Sequence, residues 1–285
     1  MKKIIVLLFL IFGIVFTNSI PSYAGVPFNN LEGVGGVAFN PLAYTAGNKI
    51  QPTEPNNIHH KFSLDDVFTS KPQIGTWYVN LKQSKIDWST VGIAQTFFNR
   101  LEVSYGYELV STSFQNIQKH NVGAKLLLLE ENFNDWSFAP AVSIGAVAKN
   151  TNFDTPSGID NTGIDYYLVA TKMIKSLPKP VLISGGLLST KGRVLGVLGF
   201  DDERDEVLFG NIDVLPLKNV AVGVEYRQGA QFSDFKNADY WDAHVAWFVN
   251  NNFSLAIAYV LTGNRTGSPA VGLGDGVVLS AQYAF

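Results

Sequence analysis

The sequence runs to 285 residues with a formal net charge of −3, no cysteine, 16% charged residues and 13% aromatics. The missing cysteine excludes disulfides, thiolate metal sites, a cysteine nucleophile and a lipid-modified N-terminal cysteine, and the slightly acidic balance argues against nucleic acid as a partner. The charged share lies below the roughly 25% of soluble domains, and no later apolar run reaches the ~18 residues of a spanning helix, which suits a barrel of alternating lipid-facing and lumen-facing residues better than its competitor, a secreted β-sandwich. At the N-terminus Lys2 and Lys3 precede an apolar run from Ile4 to Phe16, a polar stretch, and the small-residue site Ser22-Tyr23-Ala24. That pattern predicts a secretory signal peptide over residues 1–24, cleaved after Ala24.

Residues 25–73 form a separate N-terminal segment. Gly33-Val34-Gly35-Gly36-Val37-Ala38-Phe39 is glycine-rich and apolar. By letters, Gly33-x-Gly35-x-x-Ala38 matches a dinucleotide fingerprint, but it follows no strand of a βαβ unit and Asn40-Pro41 would stop a helix at once. The plainer reading is a glycine-rich stretch packed closely against a wall. Residues 25–47 are expected to plug the barrel lumen or to add a strand, and Pro52 and Pro55 mark a linker. His59-His60 in that linker does not suggest a metal site, because adjacent residues of an extended chain point apart.

From residue 74 to 285 the chain reads as hairpins. Strands are expected at 74–82, 86–97, 100–111, 121–131, 137–149, 164–175, 180–192, 207–215, 220–227, 240–249, 253–262 and 276–285. The fold class is therefore all-β, a transmembrane antiparallel up-and-down β-barrel of twelve strands, within a range of about 10–14 because strand boundaries are the weakest part of such a reading. Short connections (98–100, 132–135, 177–180, 216–219, 250–252) alternate with long ones (113–120, 149–163, 200–206, 228–239, 263–276), as periplasmic turns alternate with external loops. Trp241 and Trp247 share one face of their strand; with Tyr226, Tyr259 and Tyr283 they are expected to form an aromatic girdle. Residues 277–285 place Val277, Leu279, Tyr283 and Phe285 on one face. A terminal Phe behind such alternation resembles the closing-strand signal of outer-membrane barrels, which the barrel-assembly machinery recognises.

The opposite faces carry charge. Glu102, Glu108, Lys125, Glu225, Arg227, Asp242 and His244 all fall on predicted lumen faces. They could line a water-filled pore, or cross-link the interior shut. Asp242-x-His244 is also half of a hydrolytic triad, and Ser254 lies on the lumen face of the next strand, so an outer-membrane hydrolase using Asp242 and His244 is a third possibility. No cofactor and no metal is implied.

Several stretches, among them DYYLVATK at 165–172, LPKPVLISGGLLSTKG at 177–192, GVEYRQ at 223–228 and WDAHVAWFVNNNFSLAIAYV at 241–260, resemble a Gram-negative family catalogued only as a domain of unknown function. The resemblance implies an outer-membrane barrel in contact with bilayer and lipopolysaccharide, and supplies no activity. The expected function is a narrow channel or passive transporter for small solutes, not an enzyme. A non-conducting structural or assembly barrel with a plugged lumen is the alternative.

Overall fold

The computed structural model describes residues 27–50, 64–82, 84–154, 156, 158–263 and 270–285; the signal segment 1–24 and His59-His60 lie outside them. Twelve strands close into one antiparallel barrel. They are β1 Gln73–Leu81, β2 Ile86–Phe97, β3 Leu101–Ser111, β4 Asn116–Leu129, β5 Ala141–Thr151, β6 Thr162–Ile174, β7 Val181–Gly192, β8 Phe200–Leu217, β9 Val220–Arg227, β10 Tyr240–Phe248, β11 Phe253–Thr262 and β12 Gly274–Ala284. Each strand pairs with the next, and β12 closes on β1 with Val278 opposite Val79 and Ala284 opposite Gln73.

Period-two alternation decides which way the sheet curls. In β9, Val222 and Val224 point outward while Ala221, Gly223, Glu225 and Arg227 point inward and are buried. The outer face is a continuous apolar band (Ile257 and Leu279 are 44% and 48% exposed), a surface that suits a bilayer and not water. Strand β7 alternates less cleanly because Leu188 shares its inner face with Ser184 and Thr190; Leu188 belongs to a buried cluster with Tyr167, Val169, Val207 and Phe209.

Two polar stretches continue the ladder where loops were expected. β4 starts at Asn116 and not at 121, with Asn116 to His120 paired opposite Tyr107 to Ser111. β8 starts at Phe200 and not at 207. At these ends polar side chains stand on the outer face (Asn116, Gln118, His120) and also among the buried inward ones (Lys119, Asp201), so apolar–polar alternation disappears while pairing persists. Connection length also sorts less cleanly than expected. Residues 112–115 make a tight turn on the end assigned long loops, and 130–140 form a long connection on the other.

Candidate functional site: the barrel lumen

Residues 27–50 do not join the barrel wall as a strand. They fold inside it around a two-residue ribbon in which Phe28 and Asn29 pair with Gly36 and Gly35. Inward side chains from most of the wall hold this segment by its main chain. Gln282 on β12 and Trp77 on β1 bond Asn29, the indole Nε1 donating to Asn29 O at 2.5 Å. Glu102 on β3 accepts from Gly35 N at 2.8 Å and Ala46 N at 2.7 Å. Lys125 on β4 donates to Gly35 O at 2.9 Å and Tyr44 O at 2.7 Å. Ser143 on β5 and Thr171 on β6 bond the carbonyl and amide of Ala43. Glu225 on β9 accepts from the consecutive amides of Ala38, Phe39 and Asn40, and Arg227 donates to Phe39 O and Asn40 Oδ1.

Glycines make the seat. Gly75, Gly92 and Gly106 lie opposite one another on β1, β2 and β3, on the inner face. A Cβ at Gly92 would stand 2.8 Å from Gly33 Cα, and one at Gly33, whose φ is +86°, would stand 2.6 Å from Tyr105 O. Backbone therefore packs directly on backbone, a contact only glycine permits on both sides.

Charge fills the space around the seat. Glu32 stands between Lys119, at 3.4 Å, and Lys149. Lys119 also pairs with Glu108 at 2.9 Å, Lys149 with Asp165 at 2.6 Å, and Lys125 with Glu102 at 2.8 Å. Burial disfavours the charged form of Glu32, but Lys149, Lys119 and Arg227 outweigh it and lower its pKa to about 2. Glu32 belongs to the lumen segment, not to a membrane-spanning strand. Since its folded value lies below the ordinary 4.5, its contribution is complete above that value and is lost as pH falls toward 2. Acid should therefore loosen residues 27–50 between about pH 4.5 and 2, which protease sensitivity of the segment at pH 3 against pH 7 would measure.

His244 is enclosed by acids. Its Nδ1 lies 2.6 Å from Asp242 Oδ1 and its Nε2 lies 2.7 Å from Asp213 Oδ1. Asp213 sits two strands away, and the bridge crosses β9 at Gly223, where a Cβ would lie 2.7 Å from Nε2 and nearer still to Asp213. Gly223→Ala should break the bridge and destabilise the barrel by about 3–5 kcal/mol, the range for splitting a buried ionic pair. An unchanged urea midpoint would contradict that.

The triad raised as a third possibility is not assembled. His244 pairs with Ala258, whereas Ser254 pairs with Phe248, roughly 13 Å along the strand at ~3.3 Å per residue. With a carboxylate against each ring nitrogen, neither nitrogen is left to take a proton from a nucleophile.

All seven charged positions expected in the lumen are inside: Glu102, Glu108, Lys125, Glu225, Arg227, Asp242 and His244 are buried. Lys119, Lys149, Asp165, Asp213 and Glu32 complete the network and were not singled out in the sequence. Lys119 fell in an expected loop, and Asp165 and Asp213 carried only their parity within strands. On the outside, Trp241, Tyr259 and Tyr283 are exposed, Tyr226 and Trp247 are half-buried, and the Tyr226 and Trp241 rings meet at a tilt of 43° with centroids 4.3 Å apart. Val277, Leu279 and Phe285 face outward beside them. Among the described residues no cluster of His, Asp and Glu is arranged to hold a metal ion.

A model of the DUF3034 family, described as proteins of unknown function, matches residues 25–273. The chain belongs to that family. No curated protein matches this DUF3034 chain. Among solved structures it is similar to the KdgM porin, with 12% identity and a TM-score of 0.51 over 75% of this chain and 99% of that one. The NanC porin (11% identity, TM-score 0.47, 74% and 98% covered) and Omp33 of Acinetobacter baumannii (10%, 0.43, 75% and 98%) are further matches. The likeness to KdgM establishes a shared barrel fold for the DUF3034 chain.

Proposed function

We propose that the protein is a bacterial outer-membrane barrel of the porin type, a narrow channel for small solutes gated by residues 27–50. One observation carries this reading: Glu102, Glu108, Lys119, Lys125 and Glu225 line the lumen yet are each no more than 1% exposed. An inner wall so charged suits a water-filled path, and here it lies wholly under the segment. A cavity of about 20 Å³ beside Asp165, Thr190, Arg227 and Tyr240 has room for about one water molecule. The barrel shared with a porin supports the channel half of the reading; the main-chain grip supports the gate.

In this reading the chain is exported by its N-terminal signal, its girdle meets phospholipid and lipopolysaccharide, and the closing strand ending at Phe285 is what the assembly machinery reads. In planar bilayers the whole protein should be mostly silent, with rare openings. Removal of residues 27–50 should raise the open fraction at least tenfold, a shift that needs only about 1.4 kcal/mol. A deleted barrel that is folded yet silent would favour the second reading, a non-conducting structural barrel, for which the ion pairs of Lys119, Lys125 and Lys149 across the lumen speak.

A further inference from the structure

The wall groups that hold residues 27–50 are spaced for the atoms of a peptide bond. Lys125 and Glu102 form one ion pair, 2.8 Å apart, and together they take both main-chain groups of Gly35: the ammonium takes its carbonyl and the carboxylate its amide. The same pair clamps the returning chain, Lys125 at Tyr44 O and Glu102 at Ala46 N. Across the lumen Glu225 collects three consecutive amides while Arg227 takes the carbonyl between them. Contacts through side chains of the segment are fewer: Glu32 between two lysines, Tyr44 on Glu131, Asn40 on Arg227 and on the Gly210 and Tyr226 carbonyls, Asn29 on the Gln73 carbonyl, and Asn48 on carbonyls at the Ala284 end.

We infer that the lumen is a binding site for polypeptide main chain, and that the solute class of the open barrel is an extended, glycine-rich oligopeptide carrying an acidic side chain. The inference rests on residues 27–50 being a displaceable gate. Donors and acceptors alternate along the wall as N–H and C=O alternate along a peptide, so affinity comes from the main chain and selectivity from a few positions, as in strand-addition complexes. Two such positions are the most restrictive. The crossing over Gly92 and Gly106 admits only glycine, and the gap between Lys119 and Lys149 is filled by one carboxylate. Residues 27–50 satisfy both requirements and hold the place such a solute would take.

The test uses full-length protein with the gate lifted, as Glu32→Lys and, independently, Gly33→Val; both changes lie in the segment and leave every wall residue unaltered. The probe is a synthetic peptide of sequence 27–50. It should bind the solubilised variants by fluorescence anisotropy and close their current in bilayers. The same peptide with valine at 33, 35 and 36, or with N-methylated amides at 35 and 38–40, should bind at least tenfold more weakly, a loss of about 1.4 kcal/mol. A neutral oligosaccharide of similar size should neither bind nor block. Equal binding by the N-methylated peptide, or equal block by the oligosaccharide, overturns the inference. If both variants stay silent while their segment becomes protease-sensitive, the gate reading fails, and the anisotropy result still decides the inference by itself.

Discussion

A Glu32→Lys chain should assemble as a barrel and lose its closed lumen. The native carboxylate compensates two ammonium groups that no solvent reaches, Lys119 and Lys149. Removing one partner of such a group costs about 3–5 kcal/mol, and a third ammonium adds repulsion in a medium of low dielectric. Residues 27–50 can escape that cost because they are not part of the barrel ladder, whereas Lys119 and Lys149 are anchored in β4 and β5. Displacement is therefore cheaper than unfolding. A change of ~5 kcal/mol is enough to turn a segment that is 99% seated into one mostly displaced. The lysine introduced by Glu32→Lys reports on the event, since trypsin can cut after it only when the segment is out. Single-channel recording should show frequent openings where the unaltered chain is quiet. Continued silence together with trypsin resistance would mean that main-chain contacts alone hold the segment.

The second large effect concerns residues 193–199, which fold inward at the end of the barrel carrying the β1–β2, β3–β4 and β11–β12 connections. Val194 and Leu195 have φ of 51° and 60°, a region that a β-branched residue such as valine enters only under strain. The strain is held by Arg193, bonded to Asp201 and Asp234 at 2.5 Å each, and by Asn237 Oδ1 accepting from Val194 N at 2.6 Å. Val194 and Val197 are buried in a cluster with Leu81, Trp88 and Ile117, and the same cluster includes Phe28, Leu31 and Phe39 of the lumen segment. Two obstacles thus stand in series, the outer one resting on the inner. Releasing the loop by Arg193→Ala with Asn237→Ala should leave the barrel closed while residues 27–50 are seated. Combined with Glu32→Lys, it should raise unitary conductance several-fold above Glu32→Lys alone, because the remaining constriction is then gone. A loop variant that opens by itself would make residues 193–199 the principal barrier.

The two effects differ in how far the sequence foretells them. Alternation in stretches such as 241–249 and 277–285 is strong because one face meets apolar surroundings and the other a polar interior, so strand positions and inward charges were legible. The polar ends of β4 and β8 were not, since alternation carries no signal where both faces hold polar side chains, as with Gln118 outside and the buried Lys119 inside. Ser254 and His244 share a lumen face in the sequence, but only register places them on different rows of the sheet. The glycine seat shows the same limit. Gly75, Gly92 and Gly106 each look like an isolated inner-face glycine, and their alignment into one row depends on two strand pairings at once. Residues 25–47 gave a plug or a strand as alternatives, since a segment held by its main chain leaves little side-chain pattern to read. The inward fold of 193–199 was not legible, because two of its four left-handed residues, Val194 and Leu195, are not the glycines that mark such turns, and Gly196 and Gly199 alone read as an ordinary loop.

Whether residues 27–50 occupy the lumen and close it can be read from one introduced thiol. The chain has no cysteine, so a single Val34→Cys substitution reports on this position without background. Val34 is 2% exposed, deep in the lumen. In the folded Val34→Cys barrel a membrane-impermeant, charged maleimide should react at least about 100-fold more slowly than in the same protein unfolded in urea, since a thiol reacts only where it is accessible and can ionise. Adding Glu32→Lys should bring the rate close to the unfolded value. Fast labelling of the folded Val34→Cys barrel without that second change would mean that the segment does not fill the lumen.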